Sequence, residues 1–151
     1  MTITSAPPRK ATDLALDSFW ETVPPLWGQI RAHIRLTATE RFRISVEQFQ
    51  VLRLIRTGHG SVSELAAAKK ISRPAISQAA EVLVKKGLLT RVQSKEDRRC
   101  VDLVLTKAGN NLLDTVFKET RRWMKEQMRK LSPDELETIA QAMEIMKKML
   151  D

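Results

Sequence analysis

Residues 72–105, SRPAISQAAEVLVKKGLLTRVQSKEDRRCVDLVL, constrain the fold of this chain more than any other stretch. The first half places apolar residues at helical spacing and ends at Gly87, a residue type favoured just past a helix C-terminus. The second half contains two short β-type segments, 88–93 and 100–105, joined by the charged run SKEDRR at 94–99. The stretch therefore predicts a helix with a polar outer face, followed by a β-hairpin with a charged tip.

Helical patterns surround this stretch on both sides. An amphipathic helix with a narrow apolar seam is predicted between Leu16 and Ile34, and Pro24-Pro25 inside it predicts a kink or a break into two pieces. Capping-box patterns at Ser45 and Ser61 begin two short helices before the stretch. Two long helices follow the hairpin, the second starting after Ser132.

This order of elements predicts a mainly α fold with a small β-hairpin wing. Residues 38–105 have the pattern of a winged helix-turn-helix lobe, which binds duplex DNA through adjacent grooves. Residues 13–37 and 106–151 are predicted to form a helical dimerisation body, preceded by a flexible tail at 1–12. The seams of the body helices are longer than one small lobe covers, so we expect a second copy of the chain to bury them.

The positive charge of the chain is concentrated in the predicted lobe. The net charge is +8, and residues 38–105 hold thirteen Lys and Arg against seven acids, which is +6 of that total. A basic segment between nearly neutral ends is typical of a polyanion site. The sequence has no apolar run long enough to span a membrane and no secretory signal pattern, and its single cysteine is compatible with a reducing cytoplasm. We therefore expect a cytoplasmic protein.

The predicted helix and the charged tip both carry side chains suited to duplex DNA. Arginine can pair with the edge of guanine and glutamine with that of adenine, while a helix N-terminus and its serine can meet a phosphate. A guanidinium at the end of a hairpin can enter the minor groove, braced by a bidentate pair with a nearby aspartate. The alternative is a solvated surface helix and a hairpin whose charges only keep its edge soluble. The predicted DNA-binding residues are Ser72, Arg73, Ser77, Gln78, Lys95, Asp97, Arg98 and Arg99.

Three segments of the chain resemble the MarR family of bacterial transcriptional regulators: SVEQFQVLRLI at 45–55, GLLTR at 87–91 and DRRCVDLVLTKAG at 97–109. The resemblance extends from about residue 14 to the end. It implies a homodimer, triangular in outline, whose two winged-helix lobes bind a palindromic operator. It places the first four residues of the DNA-binding set on the recognition helix, and Asp97 and Arg99 match the family's Asp-x-Arg wing pair. The paired prolines of the first helix depart from the family pattern.

The same resemblance implies control by a small molecule, often an anionic aromatic. The junction between body and lobe is where we expect its cavity, with aromatic faces and a cation for a carboxylate. Aromatic residues at seam spacing are also typical of plain core packing, so both interpretations stand. The predicted ligand residues are Trp20, Trp27, Arg31, Phe49 and Arg53.

Other functional classes are less well supported by the sequence. Members of the family that sense thiol oxidants carry a reactive cysteine in the first helix; here that helix has none, and we expect Cys100 to be a small, half-buried structural residue with a redox role as the alternative. His33 and His59 are isolated, so we predict neither a metal site nor a cofactor. The absence of Ser-His-Asp, Cys-His or Gly-rich phosphate patterns indicates that the chain is not an enzyme. The alternative function is a winged-helix protein-interaction module that does not bind DNA.

Overall fold

A computed structural model describes residues 9–150, which form six α-helices and one β-hairpin. The helices are α1 (Arg9–Leu36), α2 (Val46–Arg56), α3 (Val62–Lys69), α4 (Arg73–Lys85), α5 (Lys107–Met128) and α6 (Pro133–Lys147), and a π-helical turn, Thr37–Arg41, continues α1. The antiparallel strands are β1 (Leu89–Gln93) and β2 (Val101–Leu105). The predicted fold class, mainly α with a hairpin wing, is confirmed. None of the helices in this part of the chain combines the length and the apolar character needed to cross a membrane.

Helix α1 passes through both prolines without interruption. The predicted break into two pieces is therefore wrong, and residues 9–12, which the sequence pattern assigned to a flexible tail, are helical; residues 1–8 of that tail lie outside the described residues. A proline fits helical φ but removes one backbone donor, so Pro24 and Pro25 leave the carbonyls of Trp20 and Glu21 without their usual intrahelical partners. The helix continues because the turns on both sides of the pair remain hydrogen-bonded.

Serine caps begin four helices at the predicted positions. The Ser45 hydroxyl accepts from the Gln48 N–H at 3.1 Å, and the Gln48 side chain accepts in return from the Ser45 N–H at 3.0 Å. The same reciprocal capping box begins α3 at Ser61 and α6 at Ser132, while Ser72 caps α4 through its side chain alone. A serine cap contributes roughly 1 kcal/mol to helix stability, so these residues fix where the short helices of the lobe begin.

One apolar core lies between α2, α3, α4, the hairpin and α5. Five side chains at the helical apolar spacing of α2 and α4 are buried in it: Phe49, Leu52, Ile76, Ala80 and Leu83. Ile55, which continues the same spacing in α2, is only partly covered. Helix α5 contributes Leu112, Leu113 and Val116, so the first half of a body helix belongs to the core of the lobe.

A glycine and a backbone hydrogen bond hold the hairpin close to the helices. A Cβ on Gly109, in the first turn of α5, would lie 2.2 Å from the carbonyl oxygen of Leu88, so this close approach requires glycine. The carbonyl of Gly60, in the turn between α2 and α3, accepts from the Leu103 N–H at 2.7 Å. The base of the hairpin is thereby joined to the α2–α3 turn as well as to α5.

The body helices carry apolar side chains that no other part of residues 9–150 covers. Within Pro133–Lys147 no residue of α6 is buried, and Leu136, Ile139 and Met143 all face solvent. On α1, Trp20 is 64% and Trp27 is 52% exposed, although both belong to the apolar seam predicted from the sequence. The uncovered faces are thus those that the sequence pattern assigned to the body.

Candidate nucleic-acid interface

Helix α4 presents a polar face opposite the side it buries. Because Ile76, Ala80 and Leu83 turn into the core, Arg73, Ser77 and Gln78 lie exposed on the outer side. Four of the predicted DNA-binding residues, these three and Ser72, therefore share one accessible surface at the N-terminal half of the helix. This surface is the outer face of α4.

The first turn of α4 offers fewer free donors than we predicted. The Ser72 hydroxyl accepts from the Ala75 N–H at 3.3 Å, and Pro74 has no N–H. The N–H of Arg73 and the hydroxyl hydrogen of Ser72 are what remain to meet an anion at this end. The helix dipole adds to both, since it makes the N-terminus partly positive.

The hairpin tip, residues 94–99, is held by a compact set of hydrogen bonds. The Ser94 N–H donates to the Cys100 carbonyl at 3.0 Å, and the Cys100 N–H donates to the Asp97 carbonyl at 2.9 Å. From β1, the Gln93 side chain donates to the Arg98 carbonyl at 2.8 Å. The side chains of Lys95, Arg98 and Arg99 all lie exposed, so the tip is a braced turn that carries three cations.

Two predictions about the tip were wrong. Asp97 forms no ion pair among residues 9–150; its Oδ1 accepts from the backbone N–H of Arg99 at 2.9 Å instead of bracing a guanidinium. A short side chain two residues away reaches the backbone of its own turn more easily than the end of a long arginine. Cys100 is exposed rather than half-buried, with its Sγ 3.8 Å from Asp97 Oδ2.

An ion pair that we did not predict joins α4 to the wing. Arg91 Nη2 on β1 lies 2.7 Å from Glu81 Oε2 on α4, and Lys85 Nζ lies 3.8 Å from Glu81 Oε1. The Arg91 guanidinium donates to the Glu81 carboxylate and, with its charge and that of Lys85, holds the pKa of Glu81 below its ordinary value of 4.5. Glu81 and Lys85 stand at i and i+4, but no sequence signal links them to Arg91 in the following strand.

Four of the five predicted ligand residues lie in one cleft. Trp27, Arg31, Phe49 and Arg53 line one cleft of about 180 Å³ between α1 and α2, together with Ile34, Arg35, Ala38, Val46 and Gln50. Trp20 lies outside this cleft, two turns nearer the N-terminus of α1. The cleft combines aromatic rings with several guanidinium groups, and the Arg53 guanidinium lies 5.9 Å from the ring centre of Phe117.

The sequence profile of the MarR family matches residues 44–101, which span the three short helices and the hairpin up to Val101. Residues 44–101 therefore carry a MarR family domain. It is 35% identical to the uncharacterized HTH-type transcriptional regulator YpoP of Bacillus subtilis over 71 residues, 46% of this chain and half the length of YpoP. It is 27% identical to the HTH-type transcriptional repressor MdtR of the same organism over 129 residues, 84% of this chain and 82% of MdtR. These relatives are transcriptional regulators and not enzymes, in agreement with our expectation.

Solved structures of other proteins share the fold of this chain over nearly its whole length. The transcriptional regulator Tm0710 from Thermotoga maritima matches with a TM-score of 0.80 and 19% identity, covering 89% of this chain and 94% of Tm0710. A mutant of MepR from S. aureus, bound to an oligodeoxyribonucleotide, matches with a TM-score of 0.68 and 18% identity, covering 88% of this chain and 98% of MepR. At these identities the likeness concerns the fold alone.

A second cleft of this MarR lobe contains residues that sequence reasoning missed. It measures about 340 Å³ and is lined by Gln50, Arg53 and Lys69, among others. The Lys69 side chain is 10% exposed, and its ammonium lies 2.9 Å from Glu47 Oε2, with Gln50 Oε1 as its second partner. Lys69 therefore ties the end of α3 to α2, a contact between side chains about twenty residues apart that periodicity does not reveal.

The two histidines occupy separate places in the chain. His33 stacks on Trp123 of α5, with ring centres 5.0 Å apart, and its Nε2 is buried without a hydrogen-bond partner in the described part of the chain. His59 lies in the turn after α2, where its Nδ1 stands 3.2 Å from the Leu54 carbonyl. Among residues 9–150, no three side chains of the His, Cys, Asp and Glu types come together as a metal site.

Proposed function

We propose that this MarR family member is a dimeric repressor of transcription that binds a palindromic operator and is released by a small anionic aromatic ligand. The observation that carries the proposal is the outer face of α4 and the three-cation tip exposed on one lobe, which holds +6 of the net charge. A helix entering the major groove and a hairpin reaching the adjacent minor groove would use these two surfaces together.

Each exposed group has a distinct role in this proposal. Arg73 and Gln78 contact base edges, where arginine pairs best with guanine and glutamine with adenine. Ser72 meets a phosphate at the start of α4. Arg99 enters the minor groove, while Arg98 and Lys95 bind the sugar-phosphate backbone. Asp97 acts through the turn, since it fixes the backbone from which Arg99 projects.

Dimerisation is supported by the uncovered apolar faces of α1 and α6. Isolated exposed apolar residues are ordinary, but continuous faces on two helices are typical of a protein–protein interface. A two-fold dimer presents two copies of α4 to the same side of a duplex, with half-sites about 34 Å apart when they are one helical turn from each other. A palindromic operator follows from that symmetry.

The ligand is proposed to bind in the cleft between α1 and α2. Its volume of about 180 Å³ exceeds the ~150 Å³ that holds one benzene ring in an engineered cavity, so a single-ring carboxylate fits. The rings of Trp27 and Phe49 would cover its faces, and Arg31 or Arg53 would bind its carboxylate. Gln50 lines this cleft and also binds Lys69, so a ligand that displaces Gln50 disturbs the attachment of α3 immediately before α4.

Repression is proposed because the relative MdtR is described as a repressor and aligns over most of this chain. In that scheme, the unliganded dimer occupies its operator and the ligand lowers its affinity. A cytoplasmic location accompanies this function, since the operator lies in the cell's own DNA.

Selection of bound duplexes from a random pool tests the DNA-binding proposal. We expect an inverted repeat to emerge, and Arg99→Ala to weaken binding of the selected duplex by about 1–3 kcal/mol. Lys95→Ala should weaken selected and scrambled duplexes alike and reduce the salt dependence. Arg129→Ala, just past the end of α5, is the matched control that removes one exposed arginine outside the lobe. Recovery of no duplex would favour the protein-interaction module, and a selected site without symmetry would contradict the dimer.

A further inference from the structure

Strand β1 carries three side chains on the face of the hairpin that points towards the helices. Successive side chains of a strand alternate between faces, so Leu89, Arg91 and Gln93 share one face. Leu89 is buried on that face, and Arg91 stands opposite the buried Leu103 in the strand register. The backbone of Arg91 therefore lies at the edge of the core, and its guanidinium extends towards α4.

These side chains link the recognition helix to the tip in a continuous series. Glu81 of α4 binds Arg91 of β1 at 2.7 Å, and two residues further along the strand Gln93 binds the carbonyl of Arg98 at 2.8 Å. Lys85 engages the other oxygen of the Glu81 carboxylate at 3.8 Å, so cations from both elements hold that carboxylate. The series ends at the residue that precedes Arg99.

The buried apolar attachment of the hairpin to the helices comes from one residue of each strand. Leu89 and Leu103 are buried, whereas the residues of β1 beyond Leu89 and most of the tip lie exposed. A two-stranded ribbon twists and bends more easily than a larger sheet. On β1, the charge-assisted hydrogen bond from Arg91 to Glu81 adds a second point of attachment, level with Leu103 in the strand register, and it restricts the angle of the ribbon to the helix.

We propose that the Glu81–Arg91 ion pair sets the angle between recognition helix and wing, which makes both residues positioning residues that determine operator specificity. The inference rests on the proposed function, because it assumes that α4 and the tip bind one duplex together. Neither side chain needs to touch a base. With the angle fixed, the tip and the outer face of α4 can bind together only to a duplex whose major and minor grooves have one relative placement. The protein then distinguishes the operator from other duplexes by its shape as well as by its bases.

The wing angle can be tested without DNA on the full-length protein. Cys100 is the single cysteine and is exposed beside the tip, so a fluorophore attached there reports the segmental motion of the wing through its anisotropy decay. Glu81→Gln and Arg91→Met should both increase that motion. Glu126→Gln is the matched control, since it removes one exposed carboxylate of α5 and breaks its pair with Arg129 at 3.2 Å. Equal wing motion in all variants would overturn the proposal.

The consequence for recognition is measured as the ratio of affinities for the selected operator and a scrambled duplex. Glu81→Gln should lower this ratio by about two- to tenfold, whereas Glu126→Gln, with the same change in charge, should leave it unchanged. Exchanging the partners, Glu81→Arg with Arg91→Glu, should restore the wild-type wing motion.

Two other results have clear meanings. If Arg91→Met weakens both duplexes by the same factor and leaves the wing motion unchanged, Arg91 is a phosphate ligand and the positioning role is wrong. If the wild-type protein binds no duplex at all, the proposed function fails, and the anisotropy measurement still decides whether the ion pair holds the wing.

Discussion

Replacing Gly109 by alanine tests whether the hairpin and α5 are packed as tightly as the structure shows. The added Cβ would stand 2.2 Å from the Leu88 carbonyl oxygen and 3.0 Å from Leu105 Cδ2. Carbon–oxygen contacts in proteins are rarely shorter than ~3.3 Å, so α5 and the strand must separate by about 1 Å. The Leu88 carbonyl also accepts from the Thr106 N–H at 3.1 Å, and that bond stretches with the separation.

The magnitude follows from three opposing contributions. Alanine gains ~1 kcal/mol over glycine in a helix, because glycine loses more backbone entropy on folding. Overpacking costs about 1–3 kcal/mol, and the weakened, partly buried hydrogen bond costs about 1 kcal/mol more. We expect Gly109→Ala to lower the free energy of unfolding by about 1–3 kcal/mol, at roughly 2–4 °C in Tm per kcal/mol for a chain of this size.

Gly28 provides the matched control for this measurement. It lies in α1, where an added Cβ would have no neighbouring atom within 4 Å, so Gly28→Ala should gain up to ~1 kcal/mol from helix propensity alone. Both variants are compared with wild type by urea denaturation followed by circular dichroism, at one protein concentration because dimerisation affects apparent stability. A Gly109→Ala variant as stable as Gly28→Ala would refute the close approach of α5 to the strand.

Three further predictions concern a carboxylate, the uncovered helix face and the cleft. Hydrogen bonds from the backbone N–H groups of Ser61 and Gly60 hold the pKa of Glu64 below its ordinary 4.5, so the stability that Glu64 contributes is complete above pH 4.5 and is lost as the pH falls through the lower, folded-state pKa. Between pH 7 and pH 3, the free energy of unfolding should therefore fall less for Glu64→Gln than for wild type. An equal fall would contradict this origin. The double variant Ile139→Asp, Met143→Asp should be a monomer in light scattering at micromolar concentration, whereas Gln141→Asp should remain a dimer. A monomeric wild-type protein would disprove the proposed dimer. Benzoate should quench tryptophan fluorescence, and half-maximal quenching should require about tenfold more benzoate in Arg31→Ala or Arg53→Ala but not in Arg129→Ala. Unchanged titrations would show that the ligand does not bind in this cleft.

The helices of the lobe could be predicted because their signals are local. Ser45 and Ser61 each stand three residues before the side chain that completes the capping box, and both boxes form as the spacing indicates. The buried face of α4 follows from period 3.6 for the same reason. A signal contained within one turn of helix does not depend on how the rest of the chain folds.

The first helix shows where a local rule is too strong. Pro24 and Pro25 predicted a kink or a break, because a proline removes a hydrogen bond and its ring clashes with the preceding turn. In a helix of 28 residues the loss affects two bonds near the middle, and the many that remain on either side keep the backbone helical. Length, which the proline rule ignores, decides the outcome.

The wing shows why side-chain partners were harder to predict than elements. The acidic side chains of Asp97 and Glu81 both bind groups of the wing. In each case the residue type alone does not indicate which group is bound. Asp97 is too short to reach past its own turn and holds the Arg99 N–H, while Glu81 reaches a strand ten residues away to bind Arg91. The consequence is electrostatic. Since neither acid neutralises the tip, the guanidinium groups of Arg98 and Arg99 enter no ion pair within residues 9–150, and the wing presents both charges to whatever polyanion the lobe meets.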